Sequence, residues 1–311
     1  MVVARMRRFR KDAAPTIKEL KFSLIRLKKS PLSIIGISII VFFVVIAVFA
    51  PILAPAPEGW RDPYLIPHEG FSPVPEAPSE QHPFGVASGE FDIYYGCIWG
   101  TRVAFVVGIV VVGCNVLISL FIGSISGYYG GIVDEIMMRF TDVIIAFPGL
   151  ILAIALVTAL GPSLANIMKA LILIGWTSYS RVVRGEVLAI KQNDYVEASK
   201  AIGCSDFRVI VKHILPNAIY PLLIMASLDV GAIVLTEAAL SFLGLGPPIG
   251  FADWGQMISF SRNWIVGPPG DPYLYWYTYI IPGLFIFTFV LGWNLLGDAF
   301  RDILDPTLRR R

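Results

Sequence analysis

The apolar residues of this chain fall in blocks of about 20, and a helix of that length crosses a hydrocarbon layer about 30 Å thick. The first block, residues 32–53, holds no charged side chain. Further blocks cover residues 101–126, 143–160, 166–183, 218–243 and 275–296. Of the 311 residues, 56% are hydrophobic and 15% charged, whereas a soluble domain carries about 25% charge. The expected fold class is an all-α membrane protein with six transmembrane helices and both ends on one side. A cleavable signal peptide is the rival reading of the first block. Its apolar core of about 20 residues exceeds the usual 7–15, and charged sequence precedes it, so a retained span is expected.

Lysine and arginine distribution sets the orientation. Ten of them precede residue 32, six fall within residues 181–217, and four follow residue 298. Residues 54–99 hold only Arg61 against seven acidic residues, and residues 244–274 only Arg262. Six spans threaded from a cytoplasmic N-terminus place every basic-rich segment inside. The division expected is a basic cytoplasmic N-terminus over 1–31, a first span over 32–53 and an extracytoplasmic loop over 54–100. A core of five spans over 101–297 and a cytoplasmic tail over 298–311 complete it. Ile17, Leu20, Leu24 and Leu27 share one helical face, so the N-terminus reads as an amphipathic helix on the inner membrane surface; a solvated charged helix is the alternative.

Cys97, Cys114 and Cys204 are odd in number and lack metal-ligand spacing, which argues against a disulfide framework or a metal site. Basic residues cluster beside a span without interleaved aromatics, so no nucleic-acid surface is expected.

One connector is too long and too patterned to be passive. In residues 184–217, Val187, Ile190, Tyr195, Val196, Ala198 and Ile202 suit a short helix with one buried stripe. Gly203 is placed to end it in the left-handed conformation. Ser205 is expected to cap a second helix, and Pro216 to end it. Two short helices meeting at a glycine make an elbow suited to receiving force from a partner.

This loop resembles the signature of ABC-importer permeases: Glu-Ala-Ala, three residues, Gly, nine residues, Ile-x-Leu-Pro. The chain reads Glu197-Ala198-Ser199, Gly203, then His213-Ile214-Leu215-Pro216. The HILPN form is similar to the oligopeptide and dipeptide branch, as are segments 127–142, 146–156, 237–246 and 294–309. Residues 82–92 depart from that branch, which follows His-Pro-Leu-Gly with Thr-Asp and Gly-Arg-Asp. The resemblance implies the type I importer fold. It also implies a homologous second permease, two ABC ATPase subunits, and an extracytoplasmic substrate-binding protein that delivers substrate. Glu197, Ala198, Ser199, Gly203, Leu215 and Pro216 would form the ATPase-coupling elbow. The implied cargo is di- or oligopeptide, with oligosaccharides or nickel complexes as alternatives. Whether the sister permease is another gene product or a second copy is left open.

The chain has no Gly-Lys pair and hence no phosphate-binding loop. It is expected to bind no cofactor and to be no enzyme, with ATP and magnesium held on the partner ATPases. An ion-coupled secondary transporter is the competing class; it calls for paired intramembrane acids or inverted repeats. Among ionisable residues in the spans, Asp229 and Glu237 are the candidate pore-lining groups. For Asp229 the alternatives are a pore site for a cationic group and a carboxylate that packs helices; Glu237 is read as bracing the outer turn. Ser119, Gly123, Gly127 and Gly131 recur every fourth residue and are expected to permit close helix packing. Pro148 invites a kink. Trp254, Trp264, Tyr273, Tyr275, Trp276 and Tyr277 are read mostly as interfacial anchors.

Overall fold

A computed structural model of the chain describes residues 30–68 and 70–304. The expected amphipathic N-terminal helix and the end of the C-terminal tail lie outside the described residues. Helix α1 (Pro31–Leu53) starts where Ser30 occupies the N-cap and Pro31 the first turn, a position whose missing N–H costs no helical bond. α2 (Ile93–Tyr129) runs 37 residues, about 55 Å at 1.5 Å per residue. It begins at Asp92, whose Oδ1 accepts the Tyr95 N–H at 2.7 Å, and stops at Gly130, φ +67°.

The third apolar block is not a straight span. α3 (Gly131–Ile145) and α4 (Gly149–Leu160) meet at an 85° bend across Pro148, which cannot continue the first helix's ladder. The kink read from Pro148 is thus a full break, and α3 begins well before the expected boundary at residue 143. α5 (Leu164–Ile190) is 27 residues long, with an N-cap at Ser163. Its C-terminal half is polar (Thr177, Tyr179, Ser180, Arg181, Arg184, Glu186), and it is packed along α2.

α6 (Asp194–Ala201) and α7 (Asp206–Val209) follow. α7 passes through a π-turn at Ile210–Ile214 into α8 (Leu215–Leu240), which a second π-turn at Ser241–Leu245 extends. The expectation that Pro216 ends the second short helix is therefore corrected. The wide turn bonds the Leu215 N–H to the Ile210 carbonyl, which loosens the ladder where proline lacks its N–H and crowds the preceding turn. One rod of 40 residues results, Asp206–Leu245. α9 (Trp254–Phe260) and α10 (Tyr277–Leu304) complete the order. By length and composition α1, α2, the rod and α10 can each cross a membrane, and the bent α3–α4 pair makes a fifth.

α1 is part of the bundle. Gly36 faces Leu295 of α10 and Gly292 faces Ile39 of α1, each too close for an added Cβ. Phe42, Leu117 and Phe121 turn outward and exposed, the surface of a protein solvated by lipid.

The loop between α1 and α2 is folded. Val86–Ala87 (β1) and Phe91–Asp92 (β2) pair antiparallel, so the atypical segment 82–92 is a small hairpin that delivers Asp92 to the N-cap of α2. His82 Nδ1 holds the other oxygen, Oδ2, at 2.6 Å. The loop is pinned to the segment between the rod and α9 by Ile66 N–H to Gly250 O and Ala252 N–H to Tyr64 O, both 2.7 Å. Trp254 and Tyr277, read as interfacial anchors, are instead core residues. The Trp254 indole donates to Cys97 O at 3.0 Å, and its ring packs on Phe43, Phe285 and Phe289.

Candidate functional site

The elbow projects from the end of the bundle where α2 and α5 finish. Val196 of α6 and Val209 of α7 are fully buried against Tyr128, Val183, Val187 and Ile214. Burying such side chains stabilises the attachment by about 1.5–3 kcal/mol each. Glu197 and Ala198 face outward, whereas Ser199 turns inward and donates to Tyr195 O at 2.7 Å. Leu215 is half-buried and Pro216 exposed. Gly203 has φ +83°, and an added Cβ would meet nothing within 4 Å. The glycine answers to its backbone conformation, not to crowding. Ser205 takes the N-cap position with extended backbone, but its side chain makes no cap bond, because the turn's geometry suffices to start the helix.

On either side of Gly203 lie the two most conspicuous apolar residues of the elbow, Ile202 at 81% and Phe207 at 76% exposure. The expected buried stripe is corrected here: Val187, Ile190 and Val196 are buried, whereas Tyr195, Ala198 and Ile202 are exposed, because α6 meets the bundle only through Val196 and Ser199. A polar clamp fixes the base. The Tyr128 hydroxyl donates to Asp206 Oδ1 at 2.5 Å. Lys191 Nζ donates to Tyr128 O at 2.5 Å, and the Lys200 ammonium sits 4.7 Å from the Tyr128 ring centre. Arg184 grips Asp134 bidentately at 2.6 and 2.5 Å, and Ser126 donates to the same carboxylate. No spacing rule joins residues 50 positions apart, so this pair was hidden in the sequence.

Three of the four small residues lie in the α2–α5 seam. Ser119 is fully buried. A Cβ on Gly123 would stand 2.7 Å from Ser180 O, and one on Gly127 2.9 Å from Arg184 O. Gly131 departs from the stripe: it lies beyond the α2 stop, with φ +56° and open space around it, so it serves the turn into α3 and not helix packing. The seam continues outward through Asn115, which fills the space over Gly175.

Asp229 and Glu237 lie on the same rod but in different settings. Asp229 is half-buried near Tyr179 of α5, whose buried hydroxyl has no hydrogen-bond partner among the described residues. Glu237 is buried, at 3% exposure, close to where α9 packs on the rod.

The family model described as the binding-protein-dependent transport system inner membrane component matches residues 119–310. The N-terminal TM domain of oligopeptide transport permease C matches residues 21–68, which contain α1. The dipeptide transport system permease protein DppC of Alkalihalophilus pseudofirmus is 37% identical over 91% of this chain and 88% of its own. The oligopeptide transport system permease protein OppC of Bacillus subtilis is 36% identical over 93% and 90%. The glutathione transport system permease protein GsiD of Pectobacterium atrosepticum is 37% identical over 79% and 81%.

Proposed function

The chain belongs to the family of binding-protein-dependent transport system inner membrane components, and we propose that it forms half of the pore of an ATP-driven importer of di- and oligopeptides. It is a multi-pass membrane subunit with no nucleotide site of its own; hydrolysis belongs to partner subunits. The observation that carries the coupling role is the elbow, an exposed apolar pair around a left-handed glycine on a base clamped to α2 and α5. Such a surface can take up a partner's motion only if it does not fold back under load, and the Tyr128–Asp206 and Lys191 contacts oppose that. Glu197, Ala198 and Gly203 present the docking face, while Ser199, Leu215 and Pro216 join it to the rod. The elbow and both termini lie on the cytoplasmic side, where the basic residues concentrate.

The partners are a homologous second permease, two ATPase subunits and an extracytoplasmic binding protein. Peptide cargo is supported by the relatives named for dipeptide, oligopeptide and glutathione transport. Of the two readings of Asp229, its half-buried place near Tyr179 of α5 supports the packing role. Purification of the tagged chain from its host in mild detergent tests the assembly. Two ATPases and a second permease are expected with it, and the accompanying binding protein is expected to take peptide. Recovery of the chain alone overturns the importer; a binding protein that takes sugar and not peptide overturns the cargo.

A further inference from the structure

The 15 residues of α3 are held to the bundle by very few contacts. Thr141 is its only buried residue, and the Thr141 hydroxyl donates to Met137 O of the same helix. Ile132, Ile136 and Val143 turn outward and are exposed. What fastens α3 lies on the opposite face. Arg184 of α5 grips Asp134 through Nε and Nη2 at 2.6 and 2.5 Å, and Ser126 of α2 donates to the same carboxylate. Arg181 Nη2 reaches Asp142 at 2.5 Å. The Phe140 ring stacks on Trp176 of α5, centres 6.1 Å apart. Both ends of α3 are backbone breaks. Gly130 and Gly131 have φ of +67° and +56°, with open space around each, and the chain turns by 85° between α3 and α4. A segment with few buried apolar contacts, set between two breaks that can absorb a change in φ and ψ, moves as a unit.

The last turn of α2 meets both α3 and the elbow. Ser126 bonds Asp134, and two residues on the Tyr128 hydroxyl donates to Asp206 of α7. α5 repeats the arrangement: Arg184 grips α3, and about two turns later Lys191 donates to Tyr128 O. The two helices are fixed to each other at this level, because Gly127 leaves no room for a Cβ against Arg184 O. We propose that α3 is a hinged arm that swings about Gly130–Gly131 in step with the elbow, and that Arg184 is the positioning residue that carries the movement to it through Asp134. The inference rests on the elbow being the element a partner drives. A displacement of α6 and α7 pulls on Tyr128 and Lys191, and the ends of α2 and α5 shift with them. Arg184 and Ser126 then carry Asp134 along, while the two glycines let α3 turn without bending α2. A bidentate grip fixes direction as well as distance, so the arm follows in one orientation. Arg181 and Asp142, both half exposed, hold the far half of α3 more weakly.

Hydrogen exchange on the complex of this chain with its partner subunits, in lipid nanodiscs with and without ATP, tests the arm. In wild type, exchange over residues 131–145 is expected to change on ATP binding together with exchange over residues 194–209. In Arg184→Gln, residues 131–145 are expected to exchange about tenfold faster than in wild type, ~1.4 kcal/mol of lost protection. They are also expected to stop responding to ATP while residues 194–209 still respond. Peptide transported per ATP hydrolysed is expected to fall in Arg184→Gln and in Asp134→Asn. It is expected to recover when Asp134→Arg is combined with Arg184→Asp, a recovery that a merely packing role would not give. If residues 194–209 respond to ATP in wild type and residues 131–145 do not, the arm is overturned and the elbow stands. If neither segment responds, or the chain carries no ATPases, the coupling reading falls and the arm with it. An unchanged transport ratio in both single variants overturns the role of Arg184, whether or not the charge-swapped pair folds.

Discussion

Replacing Gly203 separates the backbone of the elbow from its surface. Its φ of +83° lies in the left-handed region, where an L-residue costs about 1–2 kcal/mol and aspartate or asparagine somewhat less. No atom lies within 4 Å of the position a Cβ would take, so strain is the whole local penalty. Val196 and Val209, fully buried, each hold the elbow down by about 1.5–3 kcal/mol. The anchoring exceeds the strain, and both Gly203→Ala and Gly203→Asp are expected at normal abundance in the membrane. They part at the surface. Gly203→Asp sets a carboxylate between Ile202 and Phe207, at 81% and 76% exposure, where docking on an apolar groove would strip its water at a cost of several kcal/mol. With a factor of ten for each ~1.4 kcal/mol, peptide uptake should drop at least a hundredfold in Gly203→Asp. In Gly203→Ala it should drop no more than about thirtyfold, the strain alone. ATP-driven uptake of labelled peptide by cells carrying each variant, normalised to membrane-inserted chain, is the assay. Near wild-type uptake with Gly203→Asp would refute the docking assignment. Equal losses in the two variants would place the effect in the turn and not on the surface.

Other substitutions read the bundle. Gly123→Ala should destabilise by about 1–3 kcal/mol through overpacking, since its Cβ would stand 2.7 Å from Ser180 O. Gly113→Ala on the same helix, with nothing within 4 Å, should stabilise by about 0.5–1 kcal/mol; thermal unfolding in detergent reads both signs. Asp134→Ala removes a bidentate partner from Arg184, whose side chain is 33% exposed, and with that screening should cost about 1–2 kcal/mol; limited proteolysis near the elbow should quicken. Asp229→Asn keeps a polar side chain of the same size near Tyr179, so with a packing role uptake of cationic and neutral peptides should change by the same factor. A selective loss of cationic peptides, measured by competition, would assign Asp229 to the pore instead.

What the sequence yields depends on how far apart the interacting residues lie. Block length marks the membrane class, and Glu197, Gly203 and Pro216 mark the elbow, because those signals are local and set by helix geometry. Proline misleads where a wide turn can accept it: Pro216 stays inside the rod, whereas Pro148 breaks the chain by 85°. The ring is the same, but Ile210–Ile214 forms a π-turn ahead of the first. Periodicity misleads at Gly131, which keeps the fourfold interval but follows Gly130, where the helix has already stopped. Aromatic clustering near the last span suggests interfacial belts, yet Trp254 and Tyr277 are core, because α9 folds back beneath the outer surface. The pairs Arg184–Asp134 and Tyr128–Asp206 carry no sequence signal, since each joins different elements and forms only once those elements have docked.

The rod Asp206–Leu245 ties these features into one mechanical element. One end carries the elbow through Asp206 and Val209, its middle lies near α5 at Asp229 and Tyr179, and its other end meets α9 at Ala238. The rod of 40 residues is kinked near its end at Gly244, φ +83°, and a rotation applied at one end reaches the other only if the helix does not yield between them. The two π-turns, Ile210–Ile214 and Ser241–Leu245, sit at the ends and not in the middle. Compliance, where the hydrogen-bond ladder is widest, is thus concentrated beside the elbow and beside α9. The 26-residue segment between them, Leu215–Leu240, is α-helical throughout and contains Pro221. Movement of the elbow should therefore appear at the rod's other end as displacement of the Ser241–Leu245 turn against α9.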